Sequence, residues 1–138
     1  MHIIIHTDGG SRGNPGPAAS AFTVHTENNE ILHEESRFLG STTNNVAEYT
    51  ALRMAMEWLN DNASKLGVQK VDVLMDSELV IKQMRGEYKI KDGNLSLIAV
   101  QIKRIERELQ LSPTYIHVRR AENARADQLV NERLDAQN

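Results

Sequence analysis

The sequence predicts an α/β protein in which helices pack on both faces of a mixed β-sheet. Three extended segments come first along the chain, and strands then alternate with helical segments in the order βββαβααβα. A run of strands followed by this alternation is typical of a mixed sheet covered by helices. The length of 138 residues and the hydrophobic content of 40% predict a single domain over residues 1–138.

The first three segments are predicted to form an antiparallel meander. The apolar segment Ile3–Ile5 is typical of a short buried strand, which runs into Asp8 and a turn-rich segment over residues 9–17. Residues 18–26 and 30–39 alternate loosely between apolar and polar side chains, and three polar residues separate them. This pattern predicts a β-hairpin.

Helical spacing begins in the middle of the chain. Side chains of Thr42-Thr43-Asn44-Asn45 can accept hydrogen bonds from a first helical turn, and the apolar series that follows ends before Gly67. Residues 70–75 are predicted to form a compact buried strand. The remaining predicted elements are a short helix from Ser77 to Arg85, a polar loop from Gly86 to Asn94, a helix from Leu95 to Leu109, a strand from Pro113 to Val118 and a helix over about residues 122–136.

The composition excludes several classes of protein. The chain has no cysteine, which excludes a disulfide framework, a thiolate nucleophile and a cysteine-ligated metal. No apolar stretch approaches the roughly 20 residues of a membrane span, and the first residues lack a basic leader. We therefore expect a cytoplasmic protein with no membrane partner. Nothing in the sequence demands an oligomer, so we expect a monomer with no obligatory protein partner.

The net charge of −3 excludes a strongly basic chain whose binding to phosphates could be inferred from charge alone. A local basic region nevertheless exists over residues 82–104, where six Lys and Arg side chains accompany two acidic ones. Lys89 and Lys91 belong to this region. A solvated helix face would give the same local charge, so contact with nucleic acid is one of two interpretations.

Four acidic residues lie where acids are unusual. Asp8 follows a buried strand and precedes two glycines, and Asp76 stands at the carboxyl end of another strand, where ligand sites of α/β sheets gather. Glu48 and Asp127 share helical register with apolar residues that face inward from the first and last helices. Each acid alone has an ordinary alternative, because acids also cap helices, favour helix N-termini or form turns.

The four acids are harder to explain together than singly. An uncompensated charge at a core boundary costs several kcal/mol, so such charges are usually paired or bound to metal. The sequence places too few basic residues nearby to pair all four. We therefore predict that the four carboxylates converge on divalent cations, and oxygen-only ligands suit Mg²⁺ or Mn²⁺. Two such ions are a known arrangement for hydrolysis at phosphorus.

The segments that contain these acids resemble the type 1 ribonuclease H family, and the resemblance covers nearly the whole chain. They are Thr7-Asp8-Gly9-Gly10-Ser11-Arg12-Gly13-Asn14-Pro15-Gly16-Pro17-Ala18, Thr42-Thr43-Asn44-Asn45-Val46-Ala47-Glu48-Tyr49, Met75-Asp76-Ser77-Glu78 and Glu122-Asn123-Ala124-Arg125-Ala126-Asp127-Gln128-Leu129. The resemblance implies the ribonuclease H-like fold, with a five-stranded mixed sheet whose last two strands are parallel to the first. It also implies an endonuclease that hydrolyses the RNA strand of RNA–DNA hybrids with two metal ions, leaving 5′-phosphate and 3′-hydroxyl ends. The residues that match the family's catalytic, metal-binding acids are Asp8, Glu48, Asp76 and Asp127.

The resemblance extends to residues that bind the substrate. Thr43 and Asn94 match a pocket that holds a DNA phosphate away from the cut, and Ser77 is a further predicted substrate-binding residue. Capping or loop roles would equally account for Thr43, Asn44 and Asn94. In the minor groove, 2′-hydroxyls distinguish RNA from DNA. The residues that match the family's contacts in this groove are Gly9, Gly10, Asn14, Asn44 and Asn45.

The chain departs from the family pattern in two places. Many members carry a mobile histidine in the loop before the last helix, but here this loop is Arg119-Arg120-Ala121. Either arginine could assist by charge, although arginine cannot act as a base, and His117 on the preceding strand is expected to be structural. The large basic handle of bigger members is also short here, with Lys89 and Lys91 as auxiliary basic residues.

Two other functions are compatible with the sequence. One is a non-catalytic module that binds RNA–DNA hybrids and in which the acids no longer have a catalytic role. The intact set of four acids disfavours this function. The other is a nuclease of the same fold that acts on another nucleic acid. The loop over residues 9–17 and the segment 42–45 fit recognition of a hybrid better.

Overall fold

The computed structural model describes residues 1–137 and confirms the predicted order of elements. The strands are β1 (His2–Ser11), β2 (Gly16–Thr26), β3 (Ile31–Thr42), β4 (Lys70–Met75) and β5 (Thr114–His117). The helices are α1 (Asn44–Leu66), α2 (Glu78–Met84), α3 (Gly93–Leu109) and α4 (Ala124–Asp135), and a 3₁₀ turn at Arg120–Asn123 precedes α4. None of the helices in this described part combines the length and apolar character that crossing a membrane requires.

The five strands form one mixed sheet in the order β3-β2-β1-β4-β5. β2 pairs antiparallel with β1 and β3, whereas β4 pairs parallel with both β1 and β5. This arrangement confirms the predicted five-stranded sheet. In the register between β1 and β4, Thr7 pairs with Met75. The next residues of the two strands, Asp8 and Asp76, consequently lie side by side at the carboxyl end of β4.

Helices cover both faces of the sheet, as predicted. On one face, α1, α2 and α3 enclose the main core together with buried side chains of β1, β2 and β4. On the other face, α4 packs Val130 and Leu134 against Ala19 and Ala21 of β2. Because alanine side chains are small, this helix can lie close to the sheet. The position of α4 brings Asp127 to the same end of the molecule as Asp8.

The structure differs from the sequence prediction at several boundaries, since β2 begins at Gly16 instead of residue 18 and β3 runs to Thr42 instead of residue 39. β1 is longer than predicted, because Gly9–Ser11 still pair with β2, and the turn-rich segment shortens to residues 12–15. α3 begins earlier, at Gly93, since the Asp92 carboxylate accepts a hydrogen bond from the N–H of Asn94 at 2.8 Å and caps the helix. The last predicted helix is divided into the 3₁₀ turn and α4.

The start of α1 packs directly on β1 at Gly9. A Cβ atom at this position would overlap the carbonyl group of Ala47 and the backbone nitrogen of Glu48. Ser20 on β2 adds a hydrogen bond from its hydroxyl to the carbonyl oxygen of Ala47, at 2.6 Å. The missing side chain of Gly9 therefore lets α1 carry Glu48 to the surface of the sheet.

We expect Gly9→Ala to destabilise the protein by about 2–3 kcal/mol, because the new methyl group would push the first turn of α1 away from β1. Gly10→Ala is the matched control, since the atom nearest to a Cβ there is Val130 Cγ1, at an ordinary distance of 3.8 Å. Urea denaturation followed by circular dichroism measures both changes. Equal stability of the two variants would contradict the close approach at Gly9.

Candidate active site

Three of the four predicted acids form a compact cluster at one end of the sheet. Asp8 belongs to β1, Asp76 directly follows β4, and Glu48 lies near the start of α1. One carboxylate oxygen from each residue lies within 4.8 Å of the others. The register of β1 with β4 and the contact of α1 with Gly9 thus bring together acids that are far apart in sequence.

Burial and mutual repulsion make this cluster resist full ionisation. Burial, followed by the charges of Asp76 and Asp127, raises the pKa of Asp8 to about 8. Burial and the charges of Asp8 and Asp76 also raise the pKa of Glu48 well above its usual value. Burial raises the pKa of Asp76, although its backbone hydrogen bond and Arg120 oppose this change. Acids that disfavour one another's charge in this way are typical of a functional site.

The donor atoms of the cluster suit a hard divalent cation. The Oε2 atom of Glu48 is buried and has no hydrogen-bond partner among residues 1–137. A buried carboxylate oxygen without a partner is costly unless a cation contacts it. The three residues offer only oxygen atoms, which Mg²⁺ and Mn²⁺ prefer. Asp8, Glu48 and Asp76 therefore fit a metal site.

Asp127 lies beside this cluster and shares its cleft, which has a volume of about 390 Å³. Its Oδ1 atom is 3.5 Å from Nη2 of Arg120, an ion pair that was not predicted from the sequence. Volume alone does not identify this site, because a cleft of about 430 Å³ between the ends of α1 and α3 has Glu108 as its single acid. The residues that line the acid cleft are Asp8, Gly9, Gly10, Ser11, Asn44, Asn45, Glu48, Asp76, Ser77, Arg120, Asp127 and Val130.

Hydrogen bonds link the end of β1 and the following loop to the start of α1. Ser11 donates its backbone N–H and its hydroxyl to Oδ1 of Asn44, at 2.9 and 3.1 Å. The backbone N–H of Asn44 in turn donates to Oδ1 of Asn14, at 3.0 Å. Asn14, Asn44 and the adjacent Asn45 are all exposed. The structure thus places the three predicted asparagines together at the edge of the acid cleft.

The other predicted polar residues lie at helix starts. Thr43 and Ser77 are the N-caps of α1 and α2, and their hydroxyl oxygens accept hydrogen bonds from Val46 and Val80, at 3.2 and 3.4 Å. Asn94 lies in the first turn of α3. Ser77 lines the acid cleft, whereas Thr43 and Asn94 do not. Capping leaves the hydroxyl hydrogens of Thr43 and Ser77 free to donate.

The predicted basic residues differ in their surroundings. Arg119 forms an ion pair with Glu122, with 3.1 Å between Nε and Oε1, and lies outside the lining of the acid cleft. Arg120 lines that cleft. Lys89 and Lys91 are exposed on the loop between α2 and α3. Of these four side chains, Arg120 is therefore the one placed beside the acids.

Asn123 fixes the turn before α4 against β1, a role that was not predicted from the sequence. It is 1% exposed, and its amide nitrogen donates to the carbonyl oxygen of Thr7 at 2.8 Å. Its Oδ1 atom lies 3.0 Å from Nδ1 of His6 and must accept from a protonated Nδ1, because the amide nitrogen already faces a carbonyl. The sequence shows that Asn123 lies four residues before Asp127. It does not show that Asn123 contacts β1.

His117 has an exposed ring at the end of β5, which does not match the structural role expected from the sequence. Its pairing with Met75 in the parallel ladder places it near the end of β4. Burial raises the pKa of the neighbouring Asp76, and the positive form of His117 opposes that rise. His117 therefore belongs to the electrostatic surroundings of the acid cluster.

Comparisons with known proteins agree with this geometry. Residues 6–133 match the reverse transcriptase-like family. The bifunctional protein Rv2228c of Mycobacterium tuberculosis is 42% identical over 137 residues, which cover 99% of this chain and 36% of that protein. Ribonuclease HI of Halobacterium salinarum is 38% identical over 133 residues, which cover 96% of this chain and 64% of that protein. The chain thus spans about a third of the mycobacterial relative's length.

A solved structure shows the same fold. The crystal structure of LC11-RNase H1 in complex with an RNA/DNA hybrid has a TM-score of 0.92 and 46% identity, covering 98% of each chain. LC11-RNase H1 was isolated from compost by a metagenomic approach. The two sequence matches cover 99% and 96% of this chain, and LC11-RNase H1 shares its fold. The chain therefore belongs to the type 1 ribonuclease H family.

Proposed function

We propose that this chain is an endonuclease that hydrolyses the RNA strand of RNA–DNA hybrids, leaving 5′-phosphate and 3′-hydroxyl ends. The observation that carries the proposal is the cleft in which oxygens of Asp8, Glu48 and Asp76 lie within 4.8 Å of one another. Such a donor set in a member of this family supports phosphodiester hydrolysis. The choice of substrate is supported by the 46% identical LC11-RNase H1, whose structure contains an RNA/DNA hybrid.

Asp8, Glu48, Asp76 and Asp127 are the proposed catalytic and metal-binding residues. Together they would hold two Mg²⁺ or Mn²⁺ ions when the substrate is bound. Divalent ions bound there would supply the positive charge that activates a water molecule and stabilises the leaving oxygen. The carboxyl groups are held at fixed positions, because the strands and helices that carry them are already packed together.

Polar groups around the acids are proposed to position the hybrid. Backbone and amide groups at the cleft edge would contact the minor groove, where 2′-hydroxyls mark the RNA strand. Thr43 and Asn94 would contact a DNA phosphate, and Lys89 and Lys91 would add sequence-independent charge contacts. The full set of proposed substrate-binding residues is Gly9, Gly10, Asn14, Thr43, Asn44, Asn45, Ser77 and Asn94.

We also propose that the chain acts as one monomeric domain in the cytoplasm, with no obligatory protein partner. A single five-stranded sheet with a shared core supports one domain over residues 1–137. The lack of cysteine is compatible with a reducing compartment. Size-exclusion chromatography with light scattering tests the monomer.

Cleavage of labelled nucleic acids tests the proposed activity. We expect the purified protein to cut a hybrid with a labelled RNA strand in Mg²⁺ or Mn²⁺, and to leave the hybrid intact in EDTA. Duplex DNA and double-stranded RNA are expected to resist. Binding of the hybrid without cleavage, over a range of metals and pH, would support a non-catalytic module instead. Cleavage of duplex DNA alone would support a nuclease of the same fold with another substrate.

Arg120→Ala is expected to slow cleavage about tenfold, because the guanidinium lines the cleft and lies 3.5 Å from Asp127. The Arg120 charge also opposes the rise in the pKa of Asp76, so its removal should move the pH–rate profile toward higher pH. Arg119→Ala is the matched control, since Arg119 pairs with Glu122 outside the cleft lining. Single-turnover cleavage measures both variants, and equal losses would contradict a specific role for Arg120.

A further inference from the structure

Ser11 holds the side-chain amide of Asn44 by two hydrogen bonds. Its backbone N–H and its hydroxyl reach the same amide atom, at 2.9 and 3.1 Å. A backbone N–H can only donate, so the atom that it contacts must be the amide oxygen, Oδ1. The amide of Asn44 is therefore fixed with its oxygen toward Ser11 and its nitrogen turned away from Ser11.

The amide of Asn14 is oriented by the same reasoning. The backbone N–H of Asn44 donates to Oδ1 of Asn14 at 3.0 Å, so this oxygen is also engaged. Both asparagines are exposed. Within the described chain, neither NH₂ group donates to a protein acceptor. The two side chains thus have their acceptor oxygens engaged and their donors available.

The hydrogen-bonded pair of Ser11 and Asn44 lies in the wall of the acid cleft. Ser11 and Asn44 line this cleft together with Asp8 and Glu48. Ser11 is the last residue of β1 and pairs with Ala18 of β2, so the sheet holds its backbone in place. The orientation of Asn44 is consequently set by the sheet and not only by its own helix.

We propose that Ser11 is a positioning residue that keeps the NH₂ group of Asn44 turned toward the bound hybrid. Asn44 in the cleft wall and the adjoining Asn14 then offer side-chain donors, while their amide oxygens accept hydrogen bonds from Ser11 and from the backbone of Asn44. This inference rests on the proposed function, because it requires a hybrid in the cleft. Such a wall selects acceptors of the minor groove, which are purine N3, pyrimidine O2 and the oxygen of a 2′-hydroxyl.

Substitutions of Ser11 test the positioning role. We expect Ser11→Ala to raise KM for the hybrid about threefold to tenfold, the usual range for a lost hydrogen bond, with kcat changed less than about twofold. Ser11→Thr keeps the hydroxyl on a residue that strands favour. We therefore expect its KM to equal that of the parent. A loss in kcat alone, or equal KM values for the parent and both variants, would overturn the inference.

Asn44→Asp separates the donor of Asn44 from its bond to Ser11. The aspartate keeps an acceptor oxygen for Ser11 but replaces the NH₂ group with a second oxygen. We expect it to weaken hybrid binding more than Ser11→Ala does. Binding equal to that of the parent would show that the NH₂ group does not contact the hybrid, and would overturn the inference. Thermal melting of each variant verifies that the fold is retained.

Binding and cleavage are measured separately so that the two proposals can fail independently. The Kd for a fluorescent hybrid in EDTA, from anisotropy, should rise in Ser11→Ala by the same factor as KM. Cleavage by the parent with an unchanged Kd in Ser11→Ala would overturn this inference alone. Binding without cleavage by the parent would overturn the proposed activity, while the Kd would still test Ser11.

A modified hybrid tests the donor character of the wall directly. Inosine in place of every guanosine removes a minor-groove amino donor and keeps the N3 acceptor. We expect the parent protein to bind this hybrid at least as tightly as the unmodified one, because the amide oxygen of Asn44 already accepts two hydrogen bonds from Ser11 and cannot also accept from that amino group. The comparison is repeated in Asn45→Ala, which removes the other amide that lines the cleft. A loss of affinity of more than about threefold in that variant would overturn the inference.

Discussion

Asp76→Asn is expected to reduce cleavage of an RNA–DNA hybrid by at least about a thousandfold while the fold is retained. The substitution keeps the shape of the side chain and removes the negative charge that attracts a divalent cation. Because Asp76 shares its cluster with Asp8 and Glu48 within 4.8 Å, the loss of one charge alters the whole site. Single-turnover cleavage with saturating Mg²⁺ or Mn²⁺ measures the loss, and circular dichroism monitors the fold.

Asp61→Asn is the matched control for this change. Asp61 is exposed on α1 and lies outside the lining of the acid cleft, so we expect the variant to retain full activity. Asp8→Asn should behave like Asp76→Asn, since the two residues lie side by side at the strand ends. Cleavage by Asp76→Asn within about tenfold of the parent would mean that the cluster does not hold the catalytic cation.

Local sequence patterns predicted the elements and placed the acids on them. Asp76 could be assigned to a strand end because a β-branched segment precedes it and a capping serine follows. The adjacency of Asp8 and Asp76 is a different matter, since it depends on the parallel register in which Thr7 pairs with Met75. No local pattern determines which parallel strands become neighbours, so the convergence of the acids was predicted from the cost of uncompensated charge and the parallel strands from the resemblance to a family.

Side-chain partners from distant segments could not be predicted. Gly9 and Gly10 are equivalent in the sequence, yet α1 approaches only Gly9 closely, because alternate residues of a strand face opposite sides of the sheet. Ser11 was assigned to a turn, and its role depends on a hydrogen bond to a residue 33 positions away. Such contacts follow from tertiary packing and leave no periodic signal along the chain.

Asp8 is expected to lower the free energy of unfolding in EDTA by on the order of 5 kcal/mol as the pH rises from about 4 to about 8. Burial and neighbouring acids raise the pKa of Asp8 from 3.8 to about 8. Between these values the folded protein retains a proton that the unfolded chain has lost, so a rise in pH favours unfolding. This stabilisation is complete below the unfolded pKa and is lost as the pH passes the folded pKa.

Asp8→Asn isolates this effect, because asparagine does not titrate. Other groups respond differently: burial lowers the pKa of His6, so the folded state gains stability as the pH rises toward the usual histidine pKa of 6.5. His6 is present in both proteins, so the difference between parent and variant reports on the acid cluster. Urea denaturation in EDTA at several pH values between 5 and 8 measures that difference, and parallel stability curves would contradict the prediction.

Divalent metal should reverse the loss of stability in the parent at pH 8 and have a much smaller effect on Asp8→Asn. A cation that binds only the folded state adds stability in proportion to the logarithm of its concentration above its Kd. It also neutralises the repulsion that raises the pKa of the clustered acids. A metal-dependent rise in Tm that requires Asp8 would therefore connect the electrostatic cost of assembling these carboxylates with the binding of the ions that they are proposed to hold.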